Sequence, residues 1–145
     1  MNKNKSLLFG YIILFTLMIS GCFNQKQVIN VEEAWANPGI KGGNSAIFFE
    51  ISNLTKIDDT LLEVKSSIAS AVEIHKTSMV DGVMKMERQF SLPVPREEKV
   101  IFKPGGLHVM LIGLNEDLKV GDTFNITLTF EQHDDVSLDV LVREP

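Results

Sequence analysis

Nine short runs rich in Val, Ile, Phe and Thr follow one another between positions 28 and 143, and none exceeds ten residues. They occupy 28–33, 45–52, 60–66, 70–76, 83–89, 98–103, 107–114, 123–132 and 136–143. Turn residues punctuate them: Pro38-Gly39, Gly42-Gly43, Asp58-Asp59, Asp81-Gly82, Pro93 with Pro95, Pro104-Gly105-Gly106 and Gly121-Asp122. No segment sustains a helical period, although "VEEAWA" at 31–36 fits either reading. Short strands at close intervals must bury their apolar faces on one another, so the chain reads as all-β. Nine strands in a stretch of this length predict two packed antiparallel sheets with Greek-key connections, a β-sandwich spanning 28–145. Asp81-Gly82 between two strand-like runs predicts a tight hairpin. Pro104-Gly105-Gly106 predicts a turn that sets the register of the strand at 107–114.

Nothing covalent is expected to brace this fold. The sequence has one Cys, Cys22, and it sits at the end of a processing signal. Lys3 and Lys5 precede the uncharged run "LLFGYIILFTLMI", and "ISGC" follows at 19–22. That layout is a signal peptide over 1–21. A Cys directly after Ser-Gly resembles a bacterial lipobox, which implies cleavage before Cys22 and acylation of its thiol. The 13-residue apolar run is short for a membrane span of about 20 residues. The same resemblance implies that residues 22–27 form a lipidated tether and that the domain is extracytoplasmic and held to a bacterial membrane. Without residues 1–21 the chain keeps 12 basic and 19 acidic residues, a net charge of −7. An acidic domain with no basic patch is excluded as a nucleic-acid binder. A monomer is expected. The Asn53 and Asn125 sequons are read as chance in such a chain.

The chemistry concentrates in one window. Beyond the signal peptide there are four Met (Met79, Met84, Met86 and Met110), and all lie between His75 and a point two residues past His108. Strand side chains alternate, so Met84 and Met86 share one face, and so do His108 and Met110. His75 is expected to end its strand, and these groups are expected to converge at one edge of the sandwich. Two imidazoles with two or more thioethers and no thiolate select Cu(I). Zinc would recruit Cys, His or carboxylate, and calcium or magnesium would take oxygen. A blue-copper centre needs a Cys thiolate, and the sole Cys belongs to the anchor. His133, in "EQHDD", is expected at the surface without a role.

The spacing H-x10-M-x21-H-x-M formed by His75, Met86, His108 and Met110 resembles the copper motif of the PCu(A)C family of extracytoplasmic copper chaperones. The surroundings match as well: "VEIH" at 72–75, "DGVMKM" at 81–86, "LPVP" at 92–95, "FKPGGLHVMLIGL" at 102–114, and "EAWA" at 33–36 followed by "GGNSAIFFEISN". The resemblance implies a cupredoxin-like sandwich that binds one Cu(I) through His75, Met86, His108 and Met110. It also implies delivery to the binuclear copper site of cytochrome oxidase subunit II, alongside Sco-type thiol proteins. Two departures stand out. "WANPGIKGGNSA" replaces a more usual Arg- and Pro-containing stretch, and a lipid anchor replaces a freely soluble form. Met84 and Met79 are extra thioethers, and both are accessory ligand candidates.

Three functions compete for this pattern. A chaperone needs a site near the surface that can release its ion. A sequestering or tolerance lipoprotein would bind copper and keep it. An enzyme finds little support, because no Ser-His-Asp or thiol nucleophile arrangement is present, and no catalytic residue is assigned.

Overall fold

The structure, a computed structural model, describes residues 28–145. The expected signal peptide and tether, with Cys22, lie outside the described residues. Ten strands follow in chain order: β1 (Ile29–Ala36), β2 (Asn44–Asn53), β3 (Asp59–Lys65), β4 (Ala69–Val80), β5 (Val83–Gln89), β6 (Leu92–Val94), β7 (Lys99–Ile101), β8 (Leu107–Leu114), β9 (Thr123–Phe130) and β10 (Val136–Val142). One hydrogen-bonded path joins them in the order β5-β4-β8-β2-β1-β10-β9-β3-β6, and β7 pairs β2 beside β8.

That path folds back on itself. Ile47, Phe49 and Ile51 of β2 and Val109 and Leu111 of β8 share one buried cluster with Leu61 of β3, Ile126 and Leu128 of β9, and Val140 of β10. β2, β8, β9 and β10 supply alternate residues to this core, which gives two layers with apolar inner faces. β1 is the crossover. Its first half pairs only β2, and after a bulge between Glu32 and Trp35 it pairs β2 and β10 together. Glu33, inside the bulge, takes φ +56°, and such a bulge bends a strand from one layer toward the other.

Several expectations need correction. The sheets are not antiparallel throughout, because β1 and β10 run parallel at Trp35–Leu141 and Ala36–Val142. The first and last strands meet side by side there, running in the same direction. "VEEAWA" belongs wholly to β1. β4 continues past residue 76 to Val80, because Asp81 (φ 52°) and Gly82 (φ 76°) close a two-residue turn that holds it against β5 over seven pairs. This is the hairpin predicted there. β6 was masked in the sequence by Pro93 and Pro95. It sits at the end of the path and pairs only β3, the edge position a strand proline tolerates.

β9 stops at Phe130, short of Gln132, because the Glu131 and Gln132 amides donate to Asp59 Oδ1 at 3.1 and 2.9 Å. His133 is therefore not a free surface residue. Its side chain is 22% exposed, and its Nδ1 lies 2.5 Å from Asp59 Oδ2. Burial pushes the Asp59 carboxyl up, but hydrogen bonds from His133 and from the Thr60 and Gln132 amides, with the His133 charge, hold it below the ordinary value. Asn53 is also structural: it is fully buried, and its Nδ2 donates to the Ile57 and Val94 carbonyls.

Candidate metal centre

The outward face of β5, β4 and β8 gathers the His and Met residues. Ile74 and Val109 point into the core, so their neighbours in sequence point out. His75 and His108 stand directly opposite each other across β4 and β8, with ring centroids 5.8 Å apart. Met110 lies two residues beyond His108, opposite Glu73. On the other side of β4, Met86 stands opposite Thr77 and Arg88 opposite His75. Met86 and Met110 are thus both diagonal neighbours of His75, which occupies the central strand of the three. Two strand spacings, about 9.6 Å, separate β5 from β8, a gap that long thioether side chains can close from both sides.

His75 is a mid-strand residue rather than a strand end, because β4 is longer than expected. The groups converge on a sheet face and its edge strand, and strand-end loops contribute only the Gly106 carbonyl. Exposure rises across the face. His108 is buried, Met110 is half-buried, and Met86 on edge strand β5 is 53% exposed. Met79 and Met84 are opposite each other farther out on the hairpin, two pairs beyond Thr77–Met86. Being two pairs out, they share the face but stand apart from the two His.

The hydrogen bonds assign the ring nitrogens. Glu73 Oε2 accepts from His75 Nε2 at 2.9 Å, so the lone pair of a neutral His75 resides on Nδ1. That Nδ1 is buried and has no hydrogen-bond partner. The Gly106 carbonyl accepts from His108 Nδ1 at 3.1 Å, which leaves Nε2 of His108 with its lone pair. Metal-binding imidazoles are held this way, with the second nitrogen donating to a carboxylate or carbonyl. Glu73 is oriented in turn by Arg88, whose Nη1 lies 2.8 Å from Oε1. An orphaned buried nitrogen, on a ring whose centroid lies 5.8 Å from that of a second imidazole, is a cost unless a further group satisfies it.

Neighbouring residues shape this face. Ala46 of β2 lies opposite Met110 and leaves that side chain room. Phe48 of β2 screens His108 at 6.5 Å between centroids and packs on Trp35 at 4.6 Å. Arg143 closes over the Trp35 ring at 4.4 Å. The sequence reading missed Glu73 and Arg88, although both were findable: Glu73 is two residues before His75 and must share its face. Among the described residues no group of three His, Cys, Asp or Glu is arranged to hold a metal, so a centre on this face needs its thioethers.

Comparison with known proteins agrees with this picture. The family model described as "Putative lipoprotein LpqE-like" matches residues 29–142. An uncharacterized protein of Rickettsia prowazekii, RP573, is 33% identical over 110 residues, covering 72% of this chain and 61% of its own length. A protein of Leifsonia xyli subsp. xyli described as "Putative lipoprotein Lxx21020" is 29% identical over 107 residues, covering 73% of this chain and 64% of its own. The chain thus spans a little over three-fifths of the length of these curated relatives. Among solved structures, the copper-bound PCuAC domain from PmoF2 superposes with a TM-score of 0.67 at 26% identity, over 81% of this chain and 93% of that one. The Cu(I) form of DR1885 from Deinococcus radiodurans gives 0.59 at 25% identity, covering 81% of each chain.

Proposed function

The chain belongs to the LpqE-like lipoprotein family and to the PCuAC-type copper chaperones, and from that premise we propose that it carries one Cu(I) between His75, His108, Met110 and Met86. The observation that carries this reading is the facing pair of imidazoles with lone pairs on Nδ1 of His75 and Nε2 of His108. A thioether stands on each flanking strand. Two neutral nitrogens and two sulfurs suit a soft monovalent ion, and binding it is the non-enzymatic role we assign. Copper here is cargo. Three of the four ligands are half-buried or exposed, which favours exchange over permanent storage and hence a carrier over a sequestering protein.

We further assign the ion's recipient as a membrane cuproenzyme, the binuclear copper site of cytochrome oxidase subunit II, with Sco-type proteins as co-workers. Acylation at Cys22 would keep carrier and recipient on one membrane surface.

The test is an anaerobic Cu(I) titration of the purified protein against a chromogenic chelator. One tight Cu(I) per chain is expected. Loss of residues that merely orient a ligand costs 10–100-fold, so His108→Ala and Met110→Ala should each weaken binding by at least about 100-fold. Binding indifferent to both substitutions would sink the assignment.

A further inference from the structure

The β4–β5 hairpin carries thioethers beyond the four-ligand site, and their register is informative. A two-residue turn closes on a hydrogen-bonded pair, here Val80–Val83. Pairs alternate in type, so Met79–Met84 is a non-hydrogen-bonded pair, the kind with Cα atoms about 4.5 Å apart and side chains closest. Met86 is the diagonal neighbour of Met79 on one side and of His75 on the other. Diagonal positions on one face lie within reach of long side chains.

These groups face solvent. Met79 is 65% exposed, Met84 64% and Met86 53%. Core packing therefore does not account for any of the three. β8 begins at Leu107, opposite Lys76, and the last bond from that side is Thr77 N–H to the Gly106 carbonyl, 3.0 Å. From Ser78 to Lys85 the hairpin extends past the sheet, held by its own pairing. The opposite face of this ribbon bears Lys76, Ser78, Val80, Val83, Lys85 and Glu87 and no thioether, so the thioethers are segregated on the face that continues the His75–His108 site.

We propose that Met79, Met84 and Met86 form a second, outer site for a soft monovalent metal ion, and that Met86 is shared with the inner site so the ion passes between them. Three thioethers without nitrogen make a weaker set than the inner four. They need no deprotonation, so they accept an arriving ion without releasing a proton. Met side chains are flexible, and Met86 can turn from one ion position to the other without breaking backbone structure. No redox step is involved: the ion stays monovalent and exchanges one donor at a time. The outer site is argued from register and exposure on the hairpin. Its role as a passage rests on the copper-carrier reading above.

The probe is Ag(I), a diamagnetic soft ion, followed by the methyl NMR signals of the Met residues and the ring signals of the His residues in the full-length protein. Cu(I) titration under anaerobic conditions runs in parallel. Two successive binding events are expected, the second at least about 100-fold weaker than the first for want of an imidazole. The first should move His75, His108, Met110 and Met86, and the second Met79, Met84 and Met86. The double variant Met79→Leu with Met84→Leu conserves volume. It should abolish the second event, leave the first within about twofold, and slow Cu(I) loss to an excess of chelator about fivefold or more. A single event in the unaltered protein, or a second event untouched by the double variant, overturns the outer site. Two binding events with unchanged transfer rate in the variant overturn the passage. Binding at Met79 and Met84 with none at the His pair upholds the outer site and overturns the function proposed above.

Discussion

Glu73 shows how one side chain can decide what its neighbour offers. By accepting from Nε2 of His75 it leaves Nδ1 as the free donor atom, and Arg88 holds the carboxylate in place. Glu73→Ala should lower Cu(I) affinity by about tenfold, whereas Glu73→Gln, whose amide oxygen still accepts, should lie within about threefold of the unaltered protein. The ring nitrogen shifts of His75 in the ion-free protein provide a second readout: the Ala variant should lose the single Nε2–H tautomer and the Gln variant should keep it. Asp59 does comparable work for the fold. It accepts from the Thr60, Glu131 and Gln132 amides and pairs with His133. Asp59→Ala strands several donors and should cost about 3 kcal/mol of stability by thermal or denaturant unfolding. Because its native pKa lies below the ordinary 3.8, its charged form stabilises the fold fully above that value. The contribution falls away as pH drops through the lowered native value. Asp59→Asn should remove that acid-side dependence and lower stability at neutral pH. His133 was unreadable in sequence because its partner lies 74 residues away, and neither spacing nor periodicity reports such a pairing. His75, His108 and the four Met were readable because their spacing and alternation are local properties.

Among elements, the turn before β8 is the informative one. The Gly106 amide donates to the Lys103 carbonyl at 3.0 Å, and Gly105, at φ 76°, takes the left-handed conformation of a type II turn. Proline precedes it at the position where its fixed φ suits that turn. The sequence assigns the whole Pro104-Gly105-Gly106 turn the task of setting the β8 register, but a Cβ at Gly106 meets only Lys103 atoms, the nearest being Cγ at an ordinary 3.5 Å. Gly106 acts through its backbone: its carbonyl accepts from both His108 Nδ1 and Thr77 N–H. Gly105→Val should therefore cost about 1–2 kcal/mol in strain and weaken Cu(I) binding by shifting that carbonyl. Gly106→Val should leave binding nearly unchanged. Parallel chelator titrations of the two variants separate these outcomes. The hairpin at Asp81-Gly82 was legible because its turn chemistry is local. The full length of β4 was not, because what extends it is pairing with β5 as well as its own composition.

At the scale of the molecule, the all-β class and the approximate strand positions could be read from alternation and turn residues. The order of strands could not. It depends on β1 crossing between layers through the bulge at Glu33 and on the parallel meeting of β1 with β10, contacts between the two ends of the chain. Leu111 lies in the interior behind the metal face and is fully buried. Leu111→Ala should lower stability by 2–5 kcal/mol, at the scale of about 2–5 kcal/mol known for such truncations. At temperatures where the variant stays folded it should bind Cu(I) with unchanged stoichiometry. Calorimetric unfolding with and without the ion checks both halves.

The alternation along β8 has a consequence for how this protein can change. Val109 and Leu111 face the interior while His108 and Met110 face outward, so odd and even positions of one strand are inherited under different demands. Substitutions at outward positions can retune which ion is held without eroding the packing that keeps the chain folded. Interior substitutions can drift for stability while leaving the donor atoms in register. A redesign for another soft ion would be confined to one parity of β4, β5 and β8, a small and nearly independent alphabet within an unchanged chassis.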